Sequence, residues 1–252
     1  MGNWNSEQYL KFENQRTQPA IDLANRIKDC TPKTVMDIGC GPGNSTNVMK
    51  RFFSNAHIVG IDNSENMIER AKAAYHDIEF RCCDVHSIEA EYDILFSNAC
   101  LQWVPNHKEL IPELMRRLNP NGVLAVQFPM NGEEPLYQII KQVADNVKWG
   151  FQNVELDSHG TLTPHEYFDV LTGCSSEFQI WETKYYHNLP DHKALVEWVK
   201  GTRIRPYLSH LSEEQGVEFE QEIIEKTKEI YPIMKNGQVI LCFRRFFFVA
   251  MR

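Results

Sequence analysis

Residues 35 to 46 read VMDIGCGPGNST. A short apolar run, Val35, Met36 and Ile38, leads into Gly39-Cys40-Gly41-Pro42-Gly43, and Asn44, Ser45 and Thr46 open an amphipathic stretch. This is the pattern of a buried parallel strand that passes through a glycine loop into a helix. Open α/β sheets place ligands where strands end and glycine loops begin, because a backbone without Cβ atoms lets a ligand approach closely. Asp37, one residue inside the strand end, is suited to hold an ammonium group or to order the loop.

The pattern recurs outward from this stretch. Strands are expected near 34–38, 56–61, 78–82, 92–97 and 122–128, with helices near 44–53, 64–74 and 107–118 between them. Asn44 or Ser45 is expected to cap the first helix and Ser64 the second, and Asn121-Gly122 after Pro120 to make a tight turn into the fifth strand. Helices near 133–147 and 164–172 follow, then two long β-rich runs at 177–187 and 239–251. The expected fold class is α/β: a seven-stranded, mostly parallel sheet with helices on both faces and a helical insertion before the last strand. The expected organisation is one domain over 1–252, with an N-terminal flap and helix at 1–30 and a helical cap at 190–236 that folds over the mouth of the sheet.

Composition narrows the function. A chain of 252 residues with 42% hydrophobic residues can bury one substantial core. No run of 18 apolar residues and no leader is visible, so a cytoplasmic location is expected; the opening Met1-Gly2-Asn3 matches a myristoylation signal only in its letters. The net charge of −8 argues against nucleic acid and anionic membrane as partners. Seven cysteines without a C-x-x-C pair or a matching histidine cluster argue for reduced thiols and against a metal site.

Asp62 ends the second strand beside the glycine loop, where a carboxylate can accept both hydroxyls of a ribose, a role common to S-adenosylmethionine and NAD. The dinucleotide fingerprint needs a third glycine at 44, where this chain has Asn44; the spacing G-x-G-x-G fits S-adenosylmethionine better. Cys83-Asp84-Val85 follows the third strand, so Asp84 can receive an adenine amino group while Val85 and Met67 flank the ring, although Met67 alone reads equally as core. Asn98, Ala99, Leu101, Gln102 and Trp103 follow the fourth strand, where methyl donor and acceptor would meet. The expected cofactor residues are Asp37, Gly39, Cys40, Gly41, Asn44, Asp62, Asn63, Met67, Cys83, Asp84, Val85, Asn98, Ala99, Leu101 and Trp103.

The blocks VMDIGCGPGNST, GIDNSENMI, FSNACLQWVPNH and LNPNGVLAVQFP resemble the class I methyltransferase motifs as they occur in trans-aconitate methyltransferases. The resemblance extends to WNSEQYLKFENQRTQPAIDLANRI, IWETKYYHNLPDHKALVEWVKGTRIRPYL and NGQVILCFRRFFFVAMR, along nearly the whole chain. It implies a sheet with an antiparallel last hairpin, S-adenosylmethionine as cofactor with S-adenosylhomocysteine as product, and esterification of a carboxylate on trans-aconitate. The expected partner is thus a small anionic carboxylate.

Residues 184–210 carry five Lys or Arg against two acidic residues, a local positive patch in an acidic protein. Arginine clamps carboxylates in bidentate fashion, which singles out Arg203 and Arg205 in GTRIRP. Tyr9, Gln102, Trp103, Tyr186, His187 and Arg244 complete the expected acceptor site, with strand alternation sending one of Arg244 and Arg245 inward. A carboxylate is already ionised at neutral pH, so no general base is needed and no residue is nominated for proton transfer; catalysis is by positioning. The alternatives are a hydroxyl or amine acceptor, a nicotinamide oxidoreductase, which Asn44 opposes, and a non-catalytic S-adenosylmethionine-binding module.

Overall fold

A computed structural model describes residues 13–152 and 160–252, with side chains from residue 17. The described chain divides into two compact units, one of residues 13–129, 160–182 and 246–252, the other of residues 130–152 and 183–245.

The larger unit is built on the expected alternation. In chain order it holds α1 (Glu13–Arg26), β1 (Thr34–Ile38), α2 (Asn44–Phe52), β2 (His57–Asp62), α3 (Glu65–Ala74), β3 (Glu79–Cys82), β4 (Tyr92–Asn98), α4 (His107–Arg116), β5 (Leu118–Pro129) and α5 (Pro164–Cys174). The order of the seven-stranded sheet is β3-β2-β1-β4-β5-β7-β6, where β6 is Glu177–Leu189 and β7 is Val239–Met251. β1 runs parallel to β2 and β4, β2 to β3, and β4 to β5. β7 is antiparallel to β5, since Arg252 N–H donates to the Gly122 carbonyl at one end and Met130 N–H to that of Arg244 at the other. Central strands covered on both faces are apolar throughout rather than alternating. Accordingly Val35, Met36, Asp37 and Ile38 are all buried.

Two local expectations need correction. The N-cap of α2 is Gly43, not Asn44 or Ser45, and neither Gly43 nor Ser64 before α3 makes a side-chain capping bond. The Pro120-Asn121-Gly122 segment does not precede β5 but lies inside it as an irregularity: Tyr92 pairs with Leu118 and Ile94 with Val123, so the intervening residues bulge, with Asn121 left-handed at φ 63°.

The smaller unit has its own core. It contains α6 (Pro135–Ala144), the inner halves of β6 and β7, α7 (His192–Val199), a π-helical turn (Lys200–Ile204), α8 (Arg205–Leu208) and α9 (Glu213–Ile230). Leu136, Ile140, Leu195, Trp198, Tyr207 and Phe219 meet in one apolar cluster. The insertion between β6 and β7 is therefore helical, as its sequence indicates. No described helix is long and apolar enough to cross a membrane.

Candidate functional site at the carboxyl edge of the sheet

The parallel register brings four strand ends together. Ile38 pairs with Ile61 on one side and Ser97 on the other, so the loop after β1 lies between the ends of β2 and β4. Gly39, Gly41 and Gly43 take φ of 72°, 52° and 95°, the left-handed region that side chains disfavour. A Cβ on Gly39 would collide with the Cys100 side chain, and one on Gly43 would lie 2.7 Å from the Tyr75 ring. At Gly41 it would meet nothing within 4 Å, so this glycine borders open space.

Hydrogen bonds hold the loop in shape. Gly39 and Cys40 N–H both donate to the Ile61 carbonyl (2.8 and 2.9 Å), Gly43 N–H donates to that of Cys40 (3.0 Å), and Gly41 N–H donates to Asp62 Oδ2 (3.0 Å). Asp62 Oδ1 accepts from Ser64 N–H at 2.9 Å, which fixes the carboxylate in one orientation while leaving it partly exposed. Burial raises its pKa, and those two backbone bonds oppose the shift.

Asp37 is fully buried. Its Oδ2 accepts from the Ser45 and Thr46 hydroxyls at 2.6 Å each, so of its two expected roles the one visible is ordering the loop against α2. Its Oδ1 makes no hydrogen bond among the described residues. Burial, opposed by the two hydroxyls and reinforced by Asp62, pushes the carboxyl up to about 6. Desolvation also pushes Cys100 up to about 12, so its thiol stays protonated at neutral pH.

Cys83 N–H donates to the Asp62 carbonyl (3.0 Å), which ties the end of β3 to this edge. Asp84 is exposed and caps a 3-10 turn through His86 N–H at 3.0 Å; Val85 and Met67 are buried and Asn63 is exposed. At the end of β4, Asn98 Oδ1 accepts from Gln127, and Ala99 takes φ 56°, a strained value for a residue with a Cβ. A 3-10 turn, Leu101–Trp103, follows. Within it Gln102 is buried and donates to the Ala99 carbonyl (2.9 Å), and Trp103 is exposed.

In the smaller unit, Tyr186 is exposed and His187 is buried, with its ring stacked on Trp198 at 4.5 Å between centroids. Burial, helped by the charge of Arg245, holds His187 down at about 4, so the imidazole is neutral. Arg203 lies in the π-helical turn with its guanidinium 5.4 Å from the Tyr137 ring centroid, and Arg205 begins α8; both are partly buried.

The description "Methyltransferase domain" fits residues 31–238 as a family model. A trans-aconitate 2-methyltransferase from Escherichia coli O139:H28 is 40% identical over 254 residues, covering 100% of this chain and 99% of the relative. The chain belongs to the trans-aconitate 2-methyltransferase family. Among solved structures the methyltransferase shares its fold with the YcgJ protein of Bacillus subtilis, at TM-score 0.60 and 15% identity over 93% of this chain and 98% of that one. It likewise resembles Haemonchus contortus phosphoethanolamine N-methyltransferase 2 in complex with S-adenosyl-L-methionine, at TM-score 0.54 and 16% identity over 92% and 52%.

The larger unit of the methyltransferase thus gathers Asp37, Gly39, Cys40, Gly41, Asn44, Asp62, Asn63, Met67, Cys83, Asp84, Val85, Asn98, Ala99, Leu101, Gln102 and Trp103 at one sheet edge. Tyr186, His187, Arg203, Arg205 and Arg244 belong to the smaller unit, and Tyr9 lies outside the described residues. Arg244 is held by its own chain neighbours. Its backbone N–H donates to Asn131 Oδ1 (2.6 Å) and its Nε to the Met130 carbonyl (2.8 Å), with Glu133 and Glu134 at 3.4 and 3.9 Å. It braces the 130–134 segment, and Arg245 is the deeply buried member of the pair. Sequence reading missed Ser45, Thr46 and Cys100. The hydroxyls at the first turn of α2 after a strand-end aspartate were a usable signal for the first two.

Proposed function

We propose that this methyltransferase transfers a methyl group from S-adenosylmethionine to a carboxylate of trans-aconitate, or of a close polycarboxylate, giving a methyl ester. The observation that carries the reading is the full-length identity of 40% to trans-aconitate 2-methyltransferases, which spans both units. The residues at the sheet edge fit the cofactor. Gly41 offers bare backbone beside open space, Asp62 presents a carboxylate oriented by two N–H groups, and exposed Asp84 caps the turn that follows the neighbouring strand. These groups would hold the ribose and adenine, with Val85 and Met67 beside the ring. The cofactor supplies a methyl group on a sulfonium sulfur, an activated electrophile.

The chain's own task is then to position and desolvate an acceptor that is already anionic. No proton has to move, so neutral His187 serves by shape and by its hydrogen-bonding capacity, not as a base. Arg203 and Arg205 are the proposed clamps on the acceptor's remaining carboxylates, where bidentate charge-assisted bonds favour a di- or tricarboxylate over a monocarboxylate. The free state of all seven cysteines supports action in a reducing compartment such as the cytosol.

The test is purified protein with methyl-labelled S-adenosylmethionine and a panel of mono-, di- and tricarboxylates that includes cis- and trans-aconitate. Label is expected in trans-aconitate first and in monocarboxylates least. Label in an amine or phenol with none in any acid would replace this reading with a different acceptor class.

A further inference from the structure

The turn that follows β4 is held from outside the sheet. Ala99 N–H, donating to the Gln127 carbonyl at 2.8 Å, ties it to β5, and Gln102 closes it on the Ala99 carbonyl. Further support comes from α4 and from the segment that enters α5. His107 Nε2 lies 2.8 Å from the Leu101 carbonyl, and its Nδ1 bonds to the Tyr167 hydroxyl. That hydroxyl also accepts the Leu162 N–H at 3.3 Å. Gly160 N–H donates to the Gln102 carbonyl at 3.3 Å, and a Cβ on Gly160 would strike the Val104 carbonyl.

Proton accounting leaves one arrangement. A carbonyl only accepts, so His107 Nε2 carries the hydrogen; Nδ1 then accepts from the Tyr167 hydroxyl, whose oxygen takes the Leu162 N–H. Both side chains are fully buried. The Tyr167 ring is stacked on Phe246 at 5.1 Å and lies 5.6 Å from Phe128 and 5.8 Å from Phe248, so the relay starts in the rigid aromatic core of the sheet. It ends on the backbone of the turn that carries Gln102 and Trp103. Burial lowers the His107 pKa and keeps the imidazole in the neutral form that this arrangement requires.

We propose that His107 and Tyr167 are positioning residues that fix the Leu101–Trp103 turn, and with it Gln102 and Trp103, for the transfer step. The inference rests on the proposed function only in placing those two residues beside the acceptor. The same bonds satisfy buried polar groups that would destabilise the core if left unpaired, so positioning is told from stability by readouts local to the turn and to kcat.

The decisive variant is Tyr167→Phe, which keeps the ring and removes the hydroxyl. Hydrogen exchange is expected to speed up about tenfold in peptides covering 99–104 and to stay unchanged over 39–43. Because Leu101 and Trp103 also stand among the expected cofactor residues, S-adenosylhomocysteine affinity is expected to fall by about threefold while kcat with trans-aconitate falls about tenfold. His107→Gln, whose amide N–H can reach the Leu101 carbonyl, should recover most of the kcat that His107→Leu loses. A lower melting temperature with unchanged exchange over 99–104 and unchanged kcat overturns the proposal. So does a loss of cofactor affinity parallel to the loss of kcat. If His107→Leu does not fold, Tyr167→Phe decides alone. If the wild type does not methylate trans-aconitate, the substrate reading has failed, and the exchange measurement still decides the brace.

Discussion

Asp37→Asn is expected to make the ligand-free protein more stable at neutral pH. The carboxyl is fully buried, one oxygen holds the Ser45 and Thr46 hydroxyls, and the other makes no hydrogen bond among the described residues. Burial raises its pKa from 3.8 to about 6 in the folded state. A carboxyl raised on folding favours the folded state fully below its unfolded pKa and loses that contribution as pH rises through the folded value. Keeping it ionised at pH 7.5 therefore costs about 3 kcal/mol relative to the unfolded chain. Asparagine keeps an acceptor for the two hydroxyls, gives up roughly 1 kcal/mol of charge-assisted strength, and buries an amide NH2 without a partner at a further cost of about 1 kcal/mol. The net expectation is a gain of about 1 kcal/mol at pH 7.5, turning into a loss below about pH 5. Urea unfolding of both proteins across that range measures it, and the difference between them cancels every other titrating group. A variant less stable than wild type at pH 7.5, or a difference that does not change with pH, would refute the reasoning.

Asp62→Asn removes the oriented carboxylate and should weaken S-adenosylhomocysteine binding by about 2 kcal/mol, roughly 30-fold, by calorimetry. Gly39→Ala combines a left-handed φ of 72° with a collision against Cys100, and should destabilise by about 2–4 kcal/mol in thermal unfolding. Adding Cys100→Gly, which removes both the Sγ and the Cβ that a residue-39 methyl would strike, should return the steric part and leave about 1 kcal/mol of backbone strain, so a strictly additive double mutant contradicts the packing described. His187 has its pKa lowered to about 4 by burial and by Arg245, so its contribution to stability is complete above pH 6.5 and is lost as pH falls toward 4. His187→Gln should flatten that acid limb in melting temperatures recorded between pH 4 and 7.

The strand-loop-helix unit from Val35 to Phe52 was legible because a doubly covered parallel strand is apolar throughout and left-handed turns recruit glycine. What failed were choices that depend on distant partners. Ser45 has the chemistry of a cap, but its hydroxyl turns to Asp37, eight residues earlier, and left-handed Gly43 opens the helix instead. Burial in β7 alternates from Val239 to Arg245, but Ile240 and Cys242 are as apolar as Leu241 and Phe243, so the sequence did not show which register, and hence which of Arg244 and Arg245, faces inward. The length of β5 was underestimated because Pro120 and Gly122 read as a boundary, whereas the strand absorbs them as a bulge opposite Tyr92 and Ile94. The bond from His107 to Tyr167 joins residues 60 apart, and no local pattern in the sequence announces it. The residues expected to hold the cofactor could be placed at strand ends because periodicity sets those positions in the sequence. The acceptor residues rest on family likeness and on local charge.

The central claim is methyl transfer from S-adenosylmethionine to a carboxylate of trans-aconitate. The most direct measurement incubates the protein with trideuteromethyl S-adenosylmethionine and trans-aconitate, then analyses the acid by mass spectrometry before and after mild alkali. One trideuteromethyl group is expected on the acid, released by alkali as labelled methanol, as an ester requires. An alkali-stable label, or an unmodified acid in a mixture where an amine or hydroxyl compound takes the methyl group, would contradict it.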